Sequence, residues 1–515
     1  MTKQFKILVM TAALMAPAIG HASENVDSAA REKVADYTAS TLFGASTGTF
    51  APYMIGSLNH GKTQMKSWAL ADVSVVRGLD HDRRFSWGFG GEFLFGFSHK
   101  AQYARWQPEP GQWDVTKQGP ASIWLQQVYA EVKYRSVFLT AGMKERGSAL
   151  LNQRLSSGDL VESGNARPIP QVRAGFIDFQ NIPFTNGWVQ IQGEISYGKM
   201  VDNTYNKNHY NYYNYHIHLG ALYSYKRCYF RTNPDKPFSI IAGMQTAAFF
   251  GGETQYYQDG HQTKEMKFSS SLKTFFKVFF PFAEGGEDYY TGQTLGSWDC
   301  RMRYRLPNRD EIFAYFQGPW EDGTGIGRRN GLDGLWGLEY KASRPGIITG
   351  AVFELLDFRN QSGPIHWQPN DTPGTPILTH VQGRDNYYNN GYYNAYANYG
   401  MAIGTPFLMS PIYNQDGYPA FASNRACGFH AGLSGLFSKE IDYRFLVGYQ
   451  RGLGNYDYAY PRPRTNTSML FEAGWDASVL ARGLSARLQL AFDAGSLRGN
   501  NFGGGLTITY KGEIW

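Results

Sequence analysis

Residues 203–215 read NTYNKNHYNYYNY. Tyr205, Tyr210, Tyr212, Tyr213 and Tyr215 offer flat rings that cost little conformational entropy to hold still. Asn206, Asn208 and Asn211 add amides that both donate and accept hydrogen bonds. Such a mixture suits non-covalent recognition of a ligand with apolar faces and many hydroxyls. A second stretch, NYYNNGYYNAYANYG over 386–400, repeats the mixture and holds Tyr387 and Tyr388. A third group is Tyr456, Tyr458 and Tyr460, with Arg462 and Arg464, in a loop expected over 454–467. Arg301 and Arg303 share an alternation phase with Asp299, and Arg167 and Arg173 flank Pro168-Ile169-Pro170. Guanidinium groups bind carboxylates bidentately. Each set also has a plainer use: an interfacial aromatic girdle with turn-forming Asn, ordinary loop structure, or salt bridges bracing a wall.

Catalytic chemistry has little to work with. No G-x-S-x-G elbow occurs, and neither a Ser/His/Asp nor a Cys/His set stands out. Glu321 and Asp322 are adjacent, so on an extended chain they point to opposite faces, whereas glycoside cleavage needs two carboxyls facing one bond. Cys228, Cys300 and Cys427 are too few and scattered for a disulfide framework, and no metal-ligand spacing appears. The chain is therefore expected to be no enzyme and to need no cofactor or metal.

The elements that must position these side chains are strands. In RFSWGFGGEFLFGFSH (84–99), Phe85, Trp87, Phe89, Phe93, Phe95 and Phe97 recur at every second residue. Ser86, Gly88, Gly90, Glu92, Leu94 and Gly96 lie between them. A period of two belongs to an extended strand with different surroundings on its two faces. The same pattern recurs over 124–134, 468–480 and 485–495, with charges common on the second face. Many long strands, apolar on one side and wet on the other, predict an all-β fold. The expected form is a transmembrane antiparallel barrel of about 18 strands, because closure removes the edges that lipid would not tolerate. Short connections alternate with long ones, so the long loops are expected outside the cell and the short turns in the periplasm.

The chain opens MTKQFKILVMTAALMAPAIGHAS, with a basic start, an apolar stretch and a small-x-small site. This predicts a secretory signal peptide over 1–22. A periplasmic helical segment is expected over 23–40 and the barrel over 41–515. Loss of Lys3 and Lys6 lowers the net charge from +6 to +4, which is no nucleic-acid signature. Residues 268–282, FSSSLKTFFKVFFPF, predict a helix that would cap or plug the barrel mouth, or alternatively a strand.

Several stretches resemble the Wzi-type capsule-assembly outer-membrane proteins, in the form seen in Bacteroidetes. They are SSGDLVESGNARPIPQVRAGF (156–176), LGSWDCRMRY (295–304), WEDGTGIGRRNGLDGLWGLEY (320–340), NQSGPIHW (360–367), GRDNYYNNGYY (383–393) and IGTP (403–406). The resemblance implies an 18-stranded barrel in the outer membrane with an occluded lumen. It also implies a lectin-like role in holding capsular or other exported polysaccharide at the cell surface. Its partners would be that polysaccharide and outer-membrane lipid, with the protein a monomer. On this reading the Tyr/Asn stretches would stack on sugar rings, and the arginines would meet acidic groups. A porin-like channel for oligosaccharides or small solutes is the alternative, and a filled lumen separates the two.

Overall fold

A computed structural model describes residues 33–279, 292–321, 323–328, 330–361, 385–455 and 457–515. Among them, eighteen antiparallel strands form one closed barrel. Each strand pairs with the next along the chain. The first, Ala35–Phe50, closes the ring by pairing with the last, Asn501–Ile514, from Ala35↔Ile514 to Ser46↔Gly503. The first strand starts and the last strand ends at one rim, where short turns such as 135–136 and 306–310 also lie. The longest connections leave from the other rim, which is the extracellular side. That assigns 386–400 to the same side as 203–215.

The alternation of the strand Phe85–Ser98 follows from its two environments. Phe85, Trp87, Phe93 and Phe97 stand outward and exposed. Ser86, Glu92 and Leu94 turn inward and are buried. The inward glycines make room for wall residues: a Cβ at Gly90 would lie 2.3 Å from the Tyr129 ring. The outward band continues through Leu139, Val172, Phe230, Leu338, Phe353, Phe471, Leu490 and Ile508, all exposed. Water would not tolerate so much exposed apolar wall, and a bilayer requires it. The protein is an outer-membrane barrel. Cys228, Cys300 and Cys427 are unpaired and half-buried on the outward phase.

Three expectations are corrected here. The helical segment does not reach residue 40, since Ala35 already begins the first strand and is held by pairs to both neighbours. Residues 1–32, with the expected signal peptide and the rest of the expected helical segment, lie outside the described residues. The loop expected over 454–467 is mostly strand. Ala459–Asp476 carries the wall beyond the membrane, and of the described residues there 455, 457 and 458 fall outside the strands. The helix expected within 268–282 does form, as Leu272–Phe279, but it is no cap over the mouth. Val278 is buried with Ala248 and Phe250, beside Tyr197 and Phe275. The Tyr197 hydroxyl donates to the Phe275 carbonyl (3.0 Å), and Lys226 Nζ donates to that of Val278 (2.8 Å). Tyr197, Lys226 and Phe250 sit on the outward phase of their strands, opposite the inward Glu194, Tyr225 and Gln245. The helix is strapped to the outside of the barrel, where exposed Leu272 and Phe276 meet lipid.

Candidate functional site

Two inward loops fill the lumen. The connection 51–64 carries a short helix, Tyr53–Gly56, whose Met54 and Ile55 pack with Trp68, Leu70, Leu94, Leu446 and Leu470 of the wall. The connection 144–170, which contains SSGDLVESGNARPIP, runs through the centre. Asp159 is fully buried and accepts from Ser148 Oγ (2.9 Å), Gln245 Nε2 (2.8 Å) and Gln317 Nε2 (2.8 Å). Glu354 accepts from Ser156 Oγ, the Ser157 amide and the Tyr315 hydroxyl, each at 2.7 Å. Asn165 Nδ2 donates to the Ala402 carbonyl (2.9 Å), and Ser163 Oγ to that of Gly404 (2.7 Å), tying this plug to the IGTP segment. Burying these carboxylates and amides is tolerable because each of them finds partners.

Charge latches the plug to the wall. Lys62 lies 3.1 Å from Glu145 and 3.4 Å from Asp72, and pairs closely with Glu92. Arg173 meets Glu162 of the plug at 2.8 Å and Glu194 of the wall at 3.1 Å. A cavity of about 190 Å3 remains between plug and wall, beside Tyr53, Lys62, Trp68 and Arg444.

Above the plug the long loops build a cap. The hairpin Ala101–Gln107/Gln112–Gln118 aligns Trp106 with Trp113. Its edge is extended by Asn211 and Gln415, whose carbonyls accept from the Trp106 and Ala104 amides at 2.8 Å. Tyr213 then packs against both tryptophans, the three rings forming a triangle. The ring centroids are 4.9 Å (Trp106–Tyr213), 5.1 Å (Trp113–Tyr213) and 5.4 Å (Trp106–Trp113) apart. Tyr212 continues the surface, with Tyr257 at 5.1 Å and the Arg105 guanidinium 5.0 Å over its ring. Its φ of +59° is costly for a bulky residue and holds Tyr212 and Tyr213 on successive faces of a tight turn. Trp113 is 49% exposed and carries most of the open ring face, while Trp106, Tyr212 and Tyr213 are half-buried beside it.

The tyrosines expected to contact ligand divide sharply. Tyr212 and Tyr213 reach this surface. Tyr210 is fully buried beneath it, packed on Tyr212 and Tyr257, and has no face to offer. Tyr205 lies half-buried in the seam, 5.5 Å from His209 and 6.1 Å from Tyr399. Tyr387 and Tyr388 are buried ties, not contacts. Asn330 Nδ2 donates to the Tyr387 hydroxyl (2.6 Å), while the Tyr388 hydroxyl donates to the Leu160 carbonyl and accepts from the Thr405 amide (3.1 Å). They were misread because a tyrosine hydroxyl serves a buried network as well as it serves a ligand. Tyr458 is exposed on a neighbouring turn, and Tyr456 lies outside the described residues.

The arginines are corrected too. Arg301 pairs with Glu339 at 2.7 Å and donates to the Leu150 carbonyl. Arg303 donates to the carbonyls of Pro234 (2.5 Å) and Lys236 (2.9 Å) in a periplasmic turn. Arg301 ties the plug to the wall and Arg303 braces the periplasmic rim, so both are engaged beneath the cap. Trp106 and Trp113 were missed. The signal was present as the mirrored order W-Q-P-E-P-G-Q-W over 106–113, in which a turn-forming centre brings two equal residues into register.

Three buried histidines hold the cap's interior. His216 Nε2 donates to the Tyr393 carbonyl (2.8 Å), and His218 Nδ1 meets Thr254 Oγ1 (2.7 Å). Burial lowers His209, His216 and His218 from 6.5 to about 4, keeping them neutral. The unfolded cap takes up protons near 6.5 that the folded cap refuses, so the cap loses stability as pH falls from about 6.5 to about 4. Amide exchange over 203–219, corrected for intrinsic rates, is expected to accelerate between pH 7 and pH 5 while wall strands stay protected. Equal protection at both pH values would contradict this.

No protein-family model matches the chain, and no curated protein does. The fold and its cap define a class: a plugged outer-membrane barrel with an aromatic external surface. Among solved structures, the chain is similar to Wzi of Escherichia coli, an outer-membrane protein involved in group 1 capsule assembly and a carbohydrate-binding β-barrel. The two share 13% identity and a TM-score of 0.54, over 92% of this chain and 84% of that one. Weaker overlaps, at TM-score 0.45 and 8% identity, are found with OccK5 (OpdH) of Pseudomonas aeruginosa and OccAB2 of Acinetobacter baumannii. Each covers 93% of this chain and 98% of the other. At these identities the likeness to Wzi is one of fold.

Proposed function

We propose that this barrel binds exported polysaccharide, capsular in kind, and retains it at the cell surface. The observation that carries the reading is the pairing of a filled lumen with an open aromatic surface directly above it. A wall filled by hydrogen-bonded loops does not serve passage, and the exposed Trp113 with the half-buried rings beside it serves stacking on sugar rings. The fold shared with a carbohydrate-binding barrel supports it. The contact set is Trp106, Trp113, Tyr212 and Tyr213, with Tyr458 at the margin. The role is binding without catalysis, by a single chain seated in outer-membrane lipid. The channel reading requires an open lumen and is not favoured. The test is a glycan array probed with the detergent-solubilised protein, alongside single-channel recording. Polysaccharide binding without steady conductance is expected. Large stable conductance steps with no glycan bound would reject the reading.

A further inference from the structure

A second external feature lies at the rim, away from the aromatic surface. A groove of about 690 Å3 runs over the upper end of the strand Met65–Arg77, between the tip of the first strand and the base of the 101–118 hairpin. Lys66, Lys100 and Lys117 line it with His99, and no carboxylate does. Strand pairing explains their convergence. Trp68 pairs with Ser98, and the His99 amide donates to the Ser67 carbonyl (2.8 Å). One step further, Lys66 comes level with Lys100. Gln102 pairs with Lys117, which places the third ammonium beside them. Among the described residues these three side chains make no ion pair and no hydrogen bond. Like charges facing each other across paired strands destabilise the pairing unless a counter-charge lies between them.

The height of the groove selects the counter-charge. Phe97, also in its lining, is the last exposed outward ring of its strand. Lys100 follows three residues later, about 7 Å higher along the membrane normal once strand tilt is allowed for. That is the headgroup layer, just above the apolar band. We infer that this groove binds the phosphate of an outer-leaflet lipid headgroup, with Lys66, Lys100 and Lys117 as its point-charge ligands and Phe97 against the acyl region. The site is separate from the aromatic cap and independent of the polysaccharide reading.

The test reconstitutes wild type and K66Q/K100Q/K117Q in phosphatidylcholine nanodiscs. Each is titrated with lipid A or with its dephosphorylated form, following the temperature at which heat-modifiable gel mobility is lost. Lipid A is expected to raise that temperature in wild type, with an apparent affinity about tenfold weaker in the glutamine variant, on the scale of lost charge-assisted contacts. Dephosphorylated lipid should have no effect, added salt should narrow the difference, and K66R/K100R/K117R should match wild type. If the triple glutamine variant fails to fold, K100Q and K117Q singly, both at exposed lysines, should each show part of the loss. Equal lipid A affinity in wild type and glutamine variants overturns the proposal. So does equal stabilisation by dephosphorylated lipid. So too does loss of polygalacturonate binding with lipid A binding retained, which would make the groove a polysaccharide site.

Discussion

Replacing Lys62 with methionine is expected to turn a silent barrel into a conducting one. Lys62 is the cation that joins the plug loop 51–64 to Asp72, Glu92 and Glu145. Without it, three carboxylates face one another in a confined space with nothing to balance them. Breaking a buried ion pair in this way costs about 3–5 kcal/mol. The wall does not need the plug for its own hydrogen bonds, because each strand is paired on both sides. The cost therefore falls on seating the plug. In planar bilayers the wild type is expected to show almost no current and Lys62→Met frequent openings, with heat-modifiable mobility preserved in both. Val278→Asp supplies the contrast. It should detach the helix 272–279 from the outer wall and leave the current at the wild-type level, since that helix covers no opening. A folded Lys62→Met protein as silent as wild type would mean that the hydrogen bonds around Asp159 and Glu354 seat the plug without the latch.

Removing the three rings of the cap surface together is expected to abolish most polysaccharide binding while leaving the barrel intact. In Trp106→Ala/Trp113→Ala/Tyr213→Ala each lost stacking face costs about 1 kcal/mol. Three such losses weaken binding roughly a hundredfold. The hairpin keeps its edge contacts, since Trp106 and Ala104 donate through their backbone amides. Binding is measured by titrating the solubilised variant with the polysaccharide that the wild type selects on an array. Cells carrying the variant should release more surface polysaccharide into the medium at equal outer-membrane protein level. Unchanged affinity in a folded variant would remove this surface from the site. Tyr388→Ala makes an instructive companion. It deletes a hydroxyl bonded to the plug at Leu160 and the cap at Thr405, so it should loosen the cap rather than remove a contact face.

Much of the wall was legible because a strand exposes its two environments residue by residue. Phe85 to Phe97 needed no partner to reveal a lipid face, and the alternating connection lengths pointed to the rim for most loops, but not for 386–400. The plug was less open to reading. SSGDLVESGNARPIP carries no period, and its aspartate, serines and asparagine look like solvated loop residues until Gln245, Gln317 and the 402–404 carbonyls are brought against them. The helix 272–279 was recognisable from its spacing, yet its position was not. An amphipathic face states that something apolar covers it, without saying whether that is a lumen, a cap or the outside of a wall.

The aromatic stretches mark the boundary between the two kinds of information. The order of residues by itself determined a lipid-spanning barrel with long, tyrosine-rich external loops, because alternation and turn chemistry are local and act through the chain's own geometry. Which tyrosines meet the outside was decided only by tertiary structure. Tyr210, Tyr212 and Tyr213 are near neighbours in one loop, and a left-handed turn at Tyr212 sends the first inward and leaves the other two on the surface. The tryptophans that complete that surface come from a hairpin some hundred residues earlier in the chain. The lysines of the rim groove likewise converge from separate strands through pairing register. Contacts between segments far apart in sequence depend on closure of the barrel, and no local pattern in any one segment records where that closure brings it.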